Sequence, residues 1–102
     1  MMKVLIKRRV RAENYQSLMG LLLDLRAAAI RQPGYVMGET VVRGEDPMEV
    51  LAIGTWLTED HWRAWSTSQQ RHELEAMVTP LLVGEAEVSV YNVPQDAASE
   101  ED

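Results

Sequence analysis

The chain has 102 residues, 46% of them hydrophobic and 25% charged, which is one domain of ordinary globular composition. It contains no Cys, so a disulfide framework, a thiolate metal site and a Cys nucleophile are all excluded. A formal net charge of −6 argues against a phosphate-backbone partner, and apolar runs of three or four residues are far too short for a membrane span.

The N-terminus "MMKVLIKRR" lacks the long apolar stretch and small-residue cleavage site of a signal peptide, so a cytoplasmic location is the expectation. The first strand signal is "VLIKRRV" (Val4–Val10), with Val4, Ile6 and Val10 on one parity and Leu5, Lys7 and Arg9 on the other. Its "KRR" run (Lys7–Arg9) reads as charge on the strand surface. Helical spacing follows: Tyr15, Leu18, Met19, Leu22, Leu25 and Ala29 form an apolar stripe, Asn14 is a candidate cap, and Pro33-Gly34 stops the helix. Tyr15 is expected in the helix core with its hydroxyl at the rim.

"YVMGETVVR" (Tyr35–Arg43) and "EVLAIGTWL" (Glu49–Leu57) read as strands two and three, joined through "GEDP" (Gly44–Pro47) as a hairpin whose loop exceeds two residues. Gly38 and Gly54 fall inside these strands, where glycine marks a bulge or a close approach. Thr58 is positioned to cap a second helix, with Glu59 and Asp60 in its first turn. Thr67 and Ser68 predict a break, with Thr67 and Gln70 as a capping box for a further helix from Gln69 to about Met77. Pro80 ends it, and "EAEVSVYNV" (Glu85–Val93) alternates as the last strand. The tail "PQDAASEED" holds four of the sixteen acids and no base, so residues 94–102 are expected to be disordered and the remaining domain, 1–93, carries −2.

This order is β-α-β-β-α-β, the α+β ferredoxin-like arrangement with an antiparallel sheet. Leu51, Ile53 and Leu57 lie on one parity of strand three and Val50, Ala52 and Trp56 on the other, so both faces of the sheet need cover. Two helices cover one face. A second copy packed sheet to sheet is the expected cover for the other, giving a homodimer.

The passage "RQPGYVMGE", the strand "EVLAIGTW" and the spacing of Trp56, Trp65 and Ser68 make the chain resemble the antibiotic biosynthesis monooxygenase family, whose members form dimeric α+β barrels. The resemblance runs from Val4 to Val93. It implies a cofactor-independent monooxygenase in which a small aromatic, phenolic or quinol-type substrate itself donates electrons to dioxygen. The protein then has to exclude water, hydrogen-bond or deprotonate a phenol, and hold oxygen beside the ring. A non-catalytic small-ligand-binding or interaction module on the same dimeric fold is the alternative. In haem-degrading members the work is done by a Trp, a His ten positions later and an Asn on strand one. Here those positions fall on Trp65, Glu75, and Lys7 or Arg8, while His72 comes three positions early. Haem binding through His72 is therefore the third reading, and no cofactor and no metal is expected.

The stretch "WLTEDHWRAWSTSQQRHE" (Trp56–Glu73) holds every Trp and His of the chain. On one continuous helix His61, Trp65 and His72 would lie within about 40° of each other and face a cavity between helices and sheet. An imidazole can accept a phenolic proton and an arginine can hold the resulting oxyanion. The candidate catalytic residues are accordingly His72, Trp65 and Arg71, and the candidate substrate-binding residues are Trp62, His61 and Tyr15. Each has a plainer structural role to set beside this: Trp62 and Trp65 as core, His61 as a solvated helix start, Arg71 as a surface or dimer-contact cation.

Overall fold

The computed structural model describes residues 1–94, so most of the expected acidic tail lies outside the described residues. The elements are β1 (Met2–Arg9), a 3-10 turn (Ala12–Asn14), α1 (Tyr15–Ala29), β2 (Tyr35–Arg43), β3 (Asp46–Trp56), α2 (Glu59–Ser66), α3 (Gln69–Val78), a second 3-10 turn (Thr79–Leu81) and β4 (Glu87–Asn92). The strands form one antiparallel sheet in the order β2-β3-β1-β4, the ferredoxin-like order expected from the sequence.

Local hydrogen bonding explains where the helices start. Thr58 is extended, and its hydroxyl accepts from the His61 backbone N–H at 3.2 Å, as its position before two acids predicts. The break between α2 and α3 also falls where Thr67 and Ser68 predict it. The cap of α3, however, is Ser68, whose Oγ accepts from the Arg71 N–H at 3.2 Å. Thr67 instead donates back to the Arg63 carbonyl at 2.8 Å, so its hydroxyl closes α2 and the expected Thr67/Gln70 box does not form. Asn14 makes no side-chain cap, because the chain enters α1 through the 3-10 turn. The hairpin is tighter than expected: Arg43 pairs with Asp46, leaving Gly44-Glu45 as the turn, and Arg9 reaches across to hydrogen-bond Asp46.

The core forms where the inner parity of β1 and β3 meets α1. Met2, Val4, Ile6, Val50 and Trp56 pack with Leu18, Leu22, Leu25, Ala28 and Ala29, and Val78 and Trp65 close it from α3 and α2. Truncating one fully buried member such as Leu18 to Ala removes about 2–5 kcal/mol of stability. Gly34 ends the turn after α1 at φ +83°, where a β-carbon is strained, and its Cα faces the His61 ring so closely that a β-carbon would overlap it. The Gly34 carbonyl also accepts from the Leu57 N–H at 2.8 Å. These contacts lock the α1–β2 turn against the start of α2.

Among the described residues, the opposite face of the sheet has no helix on it. Leu5, Leu51 and Ile53 are half-buried there, and Met37 and Val41 are exposed. On β4, Val88 and Val90 share the parity of the inner face, yet they lie beyond the helices and are exposed.

Candidate active-site cavity

A cavity of about 580 Å³, mouth included, lies between the inner face of the sheet and the helices. Strand register explains why there is space. Gly38 pairs with Gly54, which pairs with Val4; in the next row Thr40 pairs with Ala52 and Ala52 with Ile6. The floor is thus two rows of mainly small side chains, roughly 6–7 Å apart along the strands. Gly38 leaves room for the Tyr35 hydroxyl, which a β-carbon would overlap, and a β-carbon on Gly54 would meet only the Trp56 indole, with Nε1 at 3.4 Å. Gly38 therefore marks the close approach expected of it, whereas a β-carbon on Gly54 would make only ordinary contact.

The walls are aromatic. Tyr35 meets Trp56 edge-on with ring centroids 5.3 Å apart, and Trp56 meets Trp62 at 6.0 Å. Trp65, 4% exposed, lines the same space from α2. Burial pushes the Tyr35 phenol above its ordinary pKa, against the opposing field of Arg26. Arg26 donates to Thr40 Oγ1 at 2.6 Å where α1 meets β2.

A charged group completes the cavity. Arg71 and Glu75 stand one turn apart on α3 as an ion pair, with Arg71 Nη2 2.9 Å from Glu75 Oε2, and the same oxygen accepts a hydrogen bond from Arg8 Nη2 at 2.8 Å. The Arg71 guanidinium also lies 5.2 Å from the centre of the Trp62 ring, a cation–π contact. Burial pushes the Arg71 guanidinium below its ordinary range, Glu75 opposes this, and Arg8 adds to the lowering. Arg8 is only 2% exposed. The "KRR" run is therefore not all surface charge: Lys7 and Arg9 face outward, while Arg8, on the parity of Val4 and Ile6, points into the core and is paired there with Glu75.

Of the six residues singled out in the sequence, Trp62, Trp65 and Arg71 line the cavity together. His72 is exposed on α3 and is not among the lining residues, because the break at Thr67-Ser68 shifts the helical phase between His61 and His72. His61 is half-buried against Gly34, with Nδ1 2.7 Å from Thr58 Oγ1, and Tyr15 packs on the core at the start of α1; neither lines the cavity. The expected stripe of His61, Trp65 and His72 therefore does not form. Sequence reasoning missed Arg8, Glu75, Tyr35 and Trp56 as lining residues. Inward parity marked Arg8 and Trp56, but nothing local marked Glu75.

An α+β domain of ferredoxin-like topology, with an aromatic cavity under its helices, is the class this geometry defines. Residues 1–76 match the antibiotic biosynthesis monooxygenase family, and the chain belongs to it. Solved structures share the fold at low identity. A conserved protein from Methanosarcina mazei Go1 superposes with a TM-score of 0.86 at 20% identity, over 91% of this chain and 92% of that one. SnoaB, a cofactor-independent oxygenase from Streptomyces nogalater, superposes at 0.82 with 16% identity, over 92% and 93%. A conserved protein of unknown function from Bacteroides thetaiotaomicron gives 0.81 at 13% identity, over 90% and 96%. No curated protein gave a match. Among the described residues no helix is long and apolar enough to cross a membrane, and no cluster of side chains has the makings of a metal site.

Proposed function

We propose that the cavity is the reaction site of a cofactor-independent, monooxygenase-type enzyme acting on a small flat aromatic of the phenol or quinol class. The observation that carries this reading is the cavity itself, with Trp56, Trp62, Trp65 and Tyr35 as walls and the guanidiniums of Arg8, Arg26 and Arg71 in its lining. SnoaB, which shares the fold, supports it. In the reaction, a ring methylene flanked by phenolic rings loses two hydrogens and gains one oxygen atom. Its carbon is oxidised by four electrons while dioxygen is reduced to that oxygen and one water. The substrate supplies every electron. The protein has to bind the ring, stabilise its oxyanion and keep water out, and Arg71 is positioned for the second task. Tyr35, with its raised pKa, serves as a hydrogen-bond donor rather than as a base.

A second reading, a ligand-binding module without turnover, has one observation in its favour: neither histidine lines the cavity. Haem fits poorly, because the carboxylate of Glu75 stands where the haem-degrading pattern has its His and is held by two arginines. Oxygen uptake with a panel of anthrones and hydroquinones separates the two main readings. Turnover above the buffer rate supports the enzyme; binding without uptake on every member supports the module.

The same proposal includes a homodimer joined through the helix-free face of the sheet. Leu5, Met37, Val41, Leu51 and Ile53 form an apolar centre there, with Lys7, Arg9 and Glu49 around it. Covering that face would bury on the order of 1,000 Å² or more in total, enough for a stable interface.

A further inference from the structure

Arg8 has a feature that the fold does not require. Its Nε is the single buried side-chain polar atom without a hydrogen-bond partner among the described residues. A buried donor left unpaired is costly, and native structures rarely keep one without a reason. Arg8 is 2% exposed and lines the cavity. Its only carboxylate among the described residues, Glu75, is shared with Arg71 through the same oxygen, so two guanidiniums face one negative charge. The group carries one net positive charge in a space otherwise walled mainly by apolar side chains. Arg26, at the junction of α1 and β2, adds a second positive charge to the lining. Glu39 also borders the cavity but belongs to the outward parity of β2.

We propose that the cavity selects anionic ligands, specifically a flat aromatic carboxylate whose acid group docks against the Arg8–Glu75–Arg71 group and balances its net positive charge. Its rings lie over the Gly38, Gly54 and Ala52 floor and against Trp62. This rests on the cavity being the ligand site and narrows the substrate class to aromatic acids. A carboxylate is the matching acceptor, because a charge-assisted bond to an arginine N–H is about twice as strong as a neutral one. It also offsets the uncompensated positive charge where water competes least.

The test is calorimetric titration of the wild-type protein with 2-naphthoate and with 2-naphthamide, which have nearly the same shape but differ in charge. The expected result is that naphthoate binds about tenfold or more tightly than naphthamide, and that the ratio collapses towards one in Arg8→Met. The wild-type ratio is decisive even if Arg8→Met fails to fold. Equal binding of the two probes overturns the anion proposal and leaves the cavity as a ligand site. An unchanged ratio in folded Arg8→Met overturns the docking role of Arg8. Binding of neither probe overturns both the proposal and the reading of the cavity on which it rests.

Discussion

Removing Glu75 should damage this protein more than removing either arginine that it holds. Arg8 is 2% exposed and Glu75 is its only ion-pair partner among the described residues, so Glu75→Leu leaves a buried guanidinium with no counter-charge, and Arg71, one turn away on α3, loses the same partner.

 Losing one partner of a buried pair costs about 3–5 kcal/mol, and the side chain of Glu75, being 23% exposed, puts the expectation near the lower end, about 3 kcal/mol. For a domain of this size that lowers the melting temperature by roughly 12–24 °C. Arg8→Met is milder, since Glu75 keeps Arg71 as a partner. The double variant Arg8→Met/Glu75→Leu should recover much of the loss, because replacing both members of a buried pair by apolar groups is often neutral. Urea unfolding followed by tryptophan emission gives all the corners of this cycle. A loss below about 1 kcal/mol for Glu75→Leu, or a double variant as unstable as the sum of the singles, would refute the claim that Arg8 and Glu75 are mutually dependent buried charges.

Gly34→Ala should cost about 2 kcal/mol or more from its left-handed backbone and its overlap with the His61 ring, and adding His61→Ala should restore only part; a thermal melt within a degree of wild type would contradict this. In a Tyr15→Phe/Tyr91→Phe background, the remaining phenol, Tyr35, should ionise above the ordinary value of 10.0 in an ultraviolet titration. A phenol whose folded pKa is raised contributes stability that is fully present below the unfolded pKa and declines as pH rises through the folded one, so stability should fall in alkali; ionisation at or below the ordinary value would contradict the burial. Sedimentation at micromolar concentration should show a wild-type dimer and an Ile53→Glu monomer, and a folded wild-type monomer would remove the sheet-to-sheet proposal.

What was legible in the sequence was local. The Thr58 cap, the break at Thr67-Ser68 and the stop at Pro33-Gly34 depend on hydrogen bonds and backbone angles within a few residues, so residue type alone reveals them. The α1 stripe and the β1 parity are equally direct, because one side of each element faces a core. The cavity was legible only in part. Trp62, Trp65 and Arg71 stand out as residue types in one dense stretch, whereas the Arg8–Glu75 pair joins positions 67 apart and has no local signature. The charged run hid Arg8, although its parity with Val4 and Ile6 placed it inward. Gly38 and Gly54 each looked like close approaches, but only the strand register sets them side by side as a floor. His72 misled because helical phase was carried through a break that resets it.

The most direct test of the cavity as the reaction site is oxygen uptake by wild type and by Gly54→Leu on the same anthrone. Gly54 lies in the floor, where a β-carbon would meet only the Trp56 indole at ordinary contact distance, so a leucine there occupies the ligand's place without meeting the backbone. Wild type should consume oxygen above the buffer rate, and folded Gly54→Leu should fall to that rate. Undiminished uptake in the folded, filled variant would contradict the assignment of the chemistry to this cavity.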